Sequence, residues 1–214
     1  MNHSMTEKTE TLDGHVAFIQ FAKRPIPGLV KTRLIPELGE EVATQVHETL
    51  LKRTLHTLVD SGLGAVQLWW DKAWDDKAYL AQLGVDGVFS TFSQEGDDLG
   101  ERMYQALSTQ LKTFRKVILL GSDCPVLSAS YLAQAILALD SADLVLGPSD
   151  DGGYVLIGAK SLTYATLKDT LWGTPSVMAT TLQQAQWEGL RTQLLPELWD
   201  VDLPEDYRRW KMME

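Results

Sequence analysis

The chain alternates short apolar runs with longer segments in which apolar residues recur every three or four positions. Val16-Ala-Phe-Ile-Gln-Phe21 has the character of a buried strand. Val42, Val46, Leu50, Leu55 and Leu58 predict a long helix over about 40–61. Residues 65–70 repeat the strand pattern, a weaker helix covers about 75–83, and a short strand lies near 87–92. Leu99, Met103, Leu107, Leu111 and Phe114 give 98–114 the spacing of a second strong helix. It leads into Lys116-Val-Ile-Leu-Leu-Gly121, apolar on both faces as the centre of a parallel sheet requires when helices cover each side. Ser128 offers an N-cap for a helix to about 139, and 143–147 is the next strand.

After Asp150 the rhythm changes. Asp150-Asp-Gly-Gly153 is turn chemistry, and Tyr154-Val-Leu-Ile-Gly158 returns as a strand expected to run antiparallel to its neighbours. Pro175 can open a helix to about 189, 190–195 reads as a last strand, and Pro204 can open a terminal helix with Glu205 and Asp206 in its first turn. No internal repeat is visible. The alternation implies a three-layer α/β fold with a mixed, mostly parallel sheet. Ligands in such folds sit beyond the carboxyl ends of the strands, so the chemistry is expected just after strands.

Composition narrows the choice. A chain of 214 residues, 44% hydrophobic and 22% charged, is expected to form one domain over 15–214 and to bury about 70% of its extended surface. Residues 1–14 are polar and aperiodic and contain a second Met, Met5, so they are expected to be a mobile tail. Nineteen Lys and Arg against 29 Asp and Glu leave a net charge of −10, which argues against nucleic acid or an anionic membrane as a partner. No run approaches the roughly 20 apolar residues of a spanning helix. The single Cys124 cannot form an internal disulfide, and no signal-like segment opens the chain, so a cytoplasmic location is expected.

Three groups follow strands. In Phe21-Ala-Lys-Arg-Pro-Ile-Pro-Gly-Leu-Val-Lys-Thr-Arg-Leu34, Lys23, Arg24, Lys31 and Arg33 crowd into a loop stiffened by two prolines. This is a candidate cup for a di- or triphosphate, with a plain solvated loop as the alternative. It is not a Walker loop, because the GxxxxGK[ST] spacing is absent. Gly121-Ser-Asp-Cys-Pro125 places Asp123 at a strand end, where it can carry Mg²⁺ or Mn²⁺ or cap a turn. Cys124 is a poor nucleophile, since no histidine is placed to act as its base. In Trp199-Asp-Val-Asp-Leu-Pro204, either Asp200 or Asp202 can join Asp123 around a cation while the other supports it, and Asp202 could instead cap the terminal helix. The seven tryptophans, including Trp69, Trp70, Trp74 and Trp210, are assigned to packing, with an exposed cluster as a possible subunit contact in a homo-oligomer.

The succession FAKRPIPGLVKTRL, GDDLGERM, LLGSDCP, LGPSDDGGYVLIG, WGTP and DVDLPEDY closely resembles a bacterial family of glycosyltransferase A-like proteins, the nucleotide-diphospho-sugar transferases, over about 16–207. More distantly it resembles the molybdenum-cofactor and phospholactate guanylyltransferases. The resemblance implies a Rossmann-like nucleotide half, an acceptor half and a divalent metal. By position, Lys23, Lys31 and Arg33 would face donor phosphates, with Asp98 and Arg102 near the nucleotide. Asp123 would hold metal with Asp202 as the second carboxylate, and Asp151 and Tyr154 would border the acceptor.

Glycosyltransferases of this fold commonly carry Asp-x-Asp at the metal, whereas this chain has Ser122-Asp123-Cys124-Pro125. Sugar transfer and nucleotidyl transfer therefore both stay open. The leading expectation is a metal-dependent glycosyl transfer from a nucleotide-diphospho-sugar to a small-molecule acceptor, with Asp151 as base and Lys31 on the leaving group. The alternatives are a nucleotidyltransferase that takes a nucleoside triphosphate and releases pyrophosphate, and a nucleotide-binding protein without turnover.

Overall fold

In the computed structural model, which describes residues 15–85 and 89–214, seven strands form one sheet. They are β1 (Val16–Ala22), β2 (Ala65–Trp70), β3 (Phe89–Ser93), β4 (Lys116–Leu120), β5 (Leu144–Pro148), β6 (Tyr154–Ala159) and β7 (Thr192–Leu194), in the order β3-β2-β1-β4-β6-β5-β7. Only β6 runs against its neighbours, β4 and β5; the other pairings are parallel. The helices are α1 (Ile35–Ser61), α2 (Lys77–Leu83), α3 (Leu99–Gln110), α4 (Ala129–Ser141), α5 (Val177–Trp187) and α6 (Pro204–Lys211).

Side-chain alternation along β4 divides the core. Ile118 and Leu120 point into one layer with Leu51, Leu55 and Leu58 of α1, Leu83 of α2 and Leu132, Ala135 and Leu139 of α4. Val117 and Leu119 point into the other, with Met103 and Leu107 of α3 and Ala185 of α5. This is the expected three-layer α/β fold with a mixed, mostly parallel sheet. The antiparallel β6 follows from the turn at 150–153, where Gly152 has φ +88° and a Cβ would lie 2.4 Å from the Pro175 carbonyl oxygen. Only glycine fits there.

Several boundaries differ from the sequence reading. α1 begins at Ile35 rather than near 40, with Gly39 (φ 78°, ψ 165°) as a non-helical break inside it. The added turn is held by Ile35 and Leu38 packing on a small cluster that contains Trp199, Val201 and Trp210. Val42 of α1 remains 38% exposed, and Leu99 opens α3 at 42% exposed instead of entering the core. Regular α3 stops at Gln110, yet Leu111 and Phe114 still pack on the core through a turn in which Phe114 N–H donates to the Gln110 carbonyl at 2.9 Å. The last strand contracts to three residues, and α5 starts two residues after Pro175.

The tail over 1–14 and the start of the expected strand at 87–88 lie outside the described residues. Trp69, Trp70 and Trp210 are buried, and Trp74 packs edge-on to Trp70 at 5.0 Å, so these four form no exposed cluster. Among the described residues, no helix is long and apolar enough to cross a membrane.

Candidate active site

The carboxyl ends of β1 and β4 lie side by side, and the loops that leave them meet. Lys31, in the loop after β1, has φ 46°, a left-handed conformation that costs a non-glycine residue free energy. Its ammonium group is buried, 2.8 Å from Asp123 Oδ1, and also donates to the Val201 carbonyl. Val201 N–H in turn donates to the Asp123 carbonyl at 2.9 Å. Three distant stretches of chain thus close on one ion pair. Asp123 Oδ1 is shielded from solvent while the side chain as a whole is 41% exposed, so the rest of the carboxylate faces outward.

A buried polar relay lies behind this pair. Gln20, fully buried in β1, donates to the Leu51 carbonyl at 3.0 Å and to Ser122 Oγ at 2.9 Å, and Ser122 Oγ donates to the Phe21 carbonyl at 2.9 Å. The relay ties the ends of β1 and β4 to α1. His47 of α1 donates from Nε2 to the Lys23 carbonyl at 2.9 Å. Arg24 is likewise an anchor: its N–H and Nε both reach Asp71 Oδ1, at 2.9 and 3.2 Å.

Burial pushes the Asp123 carboxyl upward, but Lys31, His47 and Lys23 outweigh it and hold the group below the usual carboxylate range. Burial keeps His47 below the ordinary histidine value, against the pull of Asp123. Asp200 moves the other way: burial, then the negative charges of Asp151 and Asp123, raise it to about 6, although Ser149 Oγ donates to it at 3.1 Å. Cys124 is buried and its thiol is pushed up to about 11, which removes it as a nucleophile at neutral pH.

Two recesses open here. A cleft of about 480 Å³ is lined by Lys23, Lys31, Arg33, Arg102 and His47 together with Asp71, Asp123 and Asp202. A smaller pocket of about 220 Å³ has Asp151 and Asp200 as its charged residues, set among Phe21, Met103, Leu119, Tyr154, Trp172 and Val177. Phe21, Leu99 and Gly121 border both.

The sequence-derived residues divide between the recesses. Lys23 lines the cleft and makes no ion pair among the described residues. Arg33 and Asp202 line it as an ion pair, and Arg102 lines it while its Nε donates to the Gly96 carbonyl at 3.0 Å. Asp98 instead caps α3, accepting from Glu101 N–H at 2.8 Å. Asp151 faces the pocket with Oδ1 held by Gly153 N–H at 2.8 Å, and Tyr154 is a pocket wall whose hydroxyl burial pushes above its usual range. Asp202 does not cap α6: Leu203 is the N-cap, and Asp206 reaches back to the N–H groups of Asp202 and Leu203 at 3.2 and 2.7 Å.

Sequence reasoning missed His47 and Gln20; residue spacing left Asp200 and Asp202 open, and the family resemblance took Asp202 as the second carboxylate. A signal for His47 existed. Thr44, His47, Leu51 and Thr54 form one helical stripe, all buried, with three polar members. Two of these reach the strand-end loops, His47 at the Lys23 carbonyl and Thr54 at the Ser122 carbonyl.

Comparison with solved structures places the fold. A Desulfovibrio desulfuricans G20 protein provisionally named a nucleotide-diphospho-sugar transferase superposes with a TM-score of 0.80 at 29% identity, over 88% of this chain and 82% of that one. The inositol-1-phosphate CTP transferase of T. maritima gives a TM-score of 0.61 at 15% identity, over 94% and 95% of the two chains. A Mycobacterium tuberculosis H37Rv protein, Rv0371C, in complex with manganese gives 0.56 at 17% identity, over 92% and 98%. A search of curated protein sequences finds no match. The profile of the family described as "Uncharacterized protein conserved in bacteria (DUF2064)" matches residues 54–174, more than half the chain, from α1 through β4 to the loop that carries Trp172. The chain belongs to that bacterial family, and its fold is the one shared by nucleotide-diphospho-sugar transferases and nucleotidyltransferases.

Proposed function

We propose that the protein is a transferase acting on a nucleotide-activated donor, and that the group moved is a sugar carried from a nucleotide-diphospho-sugar to a small acceptor. One observation carries this reading: the two recesses that meet at Phe21 and Gly121 differ in charge. The cleft concentrates Lys23, Lys31, Arg33 and Arg102 in a chain of net charge −10, which suits the diphosphate of a donor. Among the described residues the pocket has no cationic side chain in its lining, so it suits a hydroxyl acceptor and is poorly built for the phosphate that a nucleotidyl transfer would use as nucleophile. The likeness to the Desulfovibrio protein supports a nucleotide-sugar donor.

Among the described residues, no three His, Cys, Asp or Glu side chains are grouped to hold a metal ion. A Mg²⁺ or Mn²⁺ completed by substrate phosphates needs only one or two carboxylates. Asp123 and Asp200 fit that description: they interact, they offer hard oxygen donors, the neighbouring Cys124 stays a protonated thiol, and together with Asp151 they gather more negative charge than the buried Lys31 offsets. The manganese complex of the structurally similar mycobacterial protein supports a divalent ion as the group held. We therefore assign the second carboxylate to Asp200, since Asp202 is engaged by Arg33. When bound, the ion would neutralise charge developing on the leaving diphosphate.

The chain's own groups supply the rest. Lys31 and Lys23 stabilise the diphosphate as the bond between the anomeric carbon and the β-phosphate oxygen breaks and its electron pair leaves with the nucleoside diphosphate. The acceptor oxygen bonds to the anomeric carbon, and its proton passes to Asp151, whose carboxylate is oriented by Gly153 N–H.

The deciding experiment incubates the protein with Mn²⁺, a panel of sugar nucleotides or nucleoside triphosphates, and candidate acceptors. Free nucleoside diphosphate formed from a sugar nucleotide is expected. Pyrophosphate release from a triphosphate would establish nucleotidyl transfer in its place, and nucleotide-dependent thermal shifts without any product would leave a binding protein. Asp123→Asn is expected to keep the fold and lose metal-stimulated nucleotide binding; unchanged metal dependence would remove the assignment of Asp123.

A further inference from the structure

The second recess says more about its occupant than its charge alone. Its walls are contributed by Phe21 of β1, Met103 of α3, Tyr154 of β6, Val177 of α5 and Trp172 from the loop before α5. Trp172 stands edge-on to Tyr154 with ring centroids 6.3 Å apart. Ser149, Asp151 and Asp200 line one side, with Ser149 Oγ donating to Asp200 at 3.1 Å, and Thr174, also in the lining, donates to the Leu171 carbonyl at 2.7 Å. A pocket of about 220 Å³ is smaller than the roughly 300–1,000 Å³ that holds a drug-sized ligand, so it accommodates a single ring or a short branched chain.

These observations set a chemical requirement. A polyhydroxylated ligand would bring several donors and acceptors against aromatic and aliphatic walls, and each one left unpaired there loses the hydrogen bond it had to water. An anionic ligand would meet the Asp151 carboxylate and, among the described residues, no cationic side chain. A ligand with one hydroxyl and an apolar body pairs that hydroxyl with the acidic cluster and covers the remaining wall. We infer that the acceptor is an apolar-bodied alcohol or phenol, uncharged or cationic, and neither a sugar phosphate nor a free polyol. The inference rests on the transferase reading, since it takes the pocket to be the acceptor side of that site.

The test uses the full chain and reads the two recesses separately. Nucleoside diphosphate with Mn²⁺ is titrated first by thermal shift. Benzyl alcohol, glycerol and glucose 1-phosphate are then each titrated by NMR into protein carrying a labelled Met103 methyl, with the nucleotide present. Benzyl alcohol is expected to bind at least tenfold more tightly than either polar probe and to give a cross-peak to the Met103 methyl. Trp172→Ala is expected to weaken benzyl alcohol at least fivefold and leave nucleotide affinity unchanged.

Equal or tighter binding of glycerol or glucose 1-phosphate would overturn the inference, as would benzyl alcohol binding without contact to Met103. Nucleotide binding together with either of those results defeats only the acceptor class. Absence of nucleotide binding by the unaltered protein defeats the transferase reading itself. The Met103 cross-peak is measured on the native sequence, so the inference can still fail or stand if Trp172→Ala does not fold.

Discussion

The cleft and the pocket share a border yet solve opposite problems. In the cleft a carboxylate and a buried ammonium group face each other at 2.8 Å, with further cations left toward solvent. In the pocket two carboxylates share a lining with aromatic walls and, among the described residues, no cationic side chain. The first arrangement is balanced before any ligand arrives; the second is not. An apolar surround makes uncompensated charge costly. That cost shows in the ionisation of Asp200, raised to about 6, against Asp123, held low by Lys31. The contrast separates a region built to receive negative charge from one that an ion or a hydroxyl donor would relieve.

Removing Lys31 is expected to have the largest effect. Lys31→Met takes away the buried cation that pairs with Asp123 Oδ1 and tethers Val201, so turnover should fall by roughly 1,000-fold, as for loss of a key charge-stabilising donor. Nucleoside diphosphate binding should weaken sharply while binding of the parent nucleoside changes little. Equal losses for both ligands would show that Lys31 shapes the loop rather than holding phosphate. Benzyl alcohol binding at the pocket should survive. If it disappears as well, the two regions are one.

Gly121 tests their junction. A Cβ built there meets nothing within 4 Å among the described residues, and its φ is not in the left-handed region, so a side chain can be added without strain. Gly121→Leu should project into the border common to both recesses, leaving the melting temperature nearly unchanged. Transfer should drop by about 100-fold, since small misplacements of reacting groups cost that much. Normal transfer with a leucine there would show that donor and acceptor do not meet across Gly121.

Much of this site was legible in the sequence because its strongest signals are local. The Lys116–Leu120 run with Asp123 just beyond it, and the Pro-rich cationic loop after β1, follow from spacing alone. The antiparallel return of β6 was legible from its turn residues. What escaped detection depends on three-dimensional crossing. His47 is one polar residue on a buried helical stripe, and only the path of α1 over the end of β1 brings it to the Lys23 carbonyl. Asp200 and Asp202 are two residues apart and chemically equal in sequence. They part because Ser149 takes one and Arg33 the other. The exposed Leu99 read as a core position, since periodicity reports a face and not where the helix ends against the sheet.

Asp200→Asn sharpens the contrast with a smaller effect. Without divalent ion at pH 7.5, removing one of the crowded carboxylates should raise the melting temperature by about 2–4 °C, the shift that roughly 1 kcal/mol gives in a chain of this size. The same variant should lose the further rise that Mn²⁺ gives the unaltered protein with nucleotide bound. A variant less stable than the parent, or one that still responds fully to Mn²⁺, would mean that Asp200 is a satisfied structural acid.

The smallest effect is expected at the opposite end of the sheet, where Asp143 precedes β5 and Arg191 precedes β7. Here a carboxylate has everything Asp200 lacks. Arg191 donates from Nε and Nη2 at 2.9 Å each and from its N–H at 3.1 Å, and these bonds pull Asp143 down to about 2. A folded-state value below the usual one means the pair stabilises the fold above about pH 4 and loses that contribution as pH falls through about 2. Arg191 is 67% exposed, so solvent screening keeps the contribution small. Asp143→Asn should therefore lower stability slightly at pH 7 and flatten its decline between pH 4 and 2, with nucleotide and alcohol binding untouched. Chemical denaturation across that pH range reads both slopes. A stability loss at pH 7 as large as the one Lys31→Met shows in the same denaturation measurement would mean that charge pairing holds this sheet together generally, and the special standing given to the Lys31–Asp123 pair would go with it.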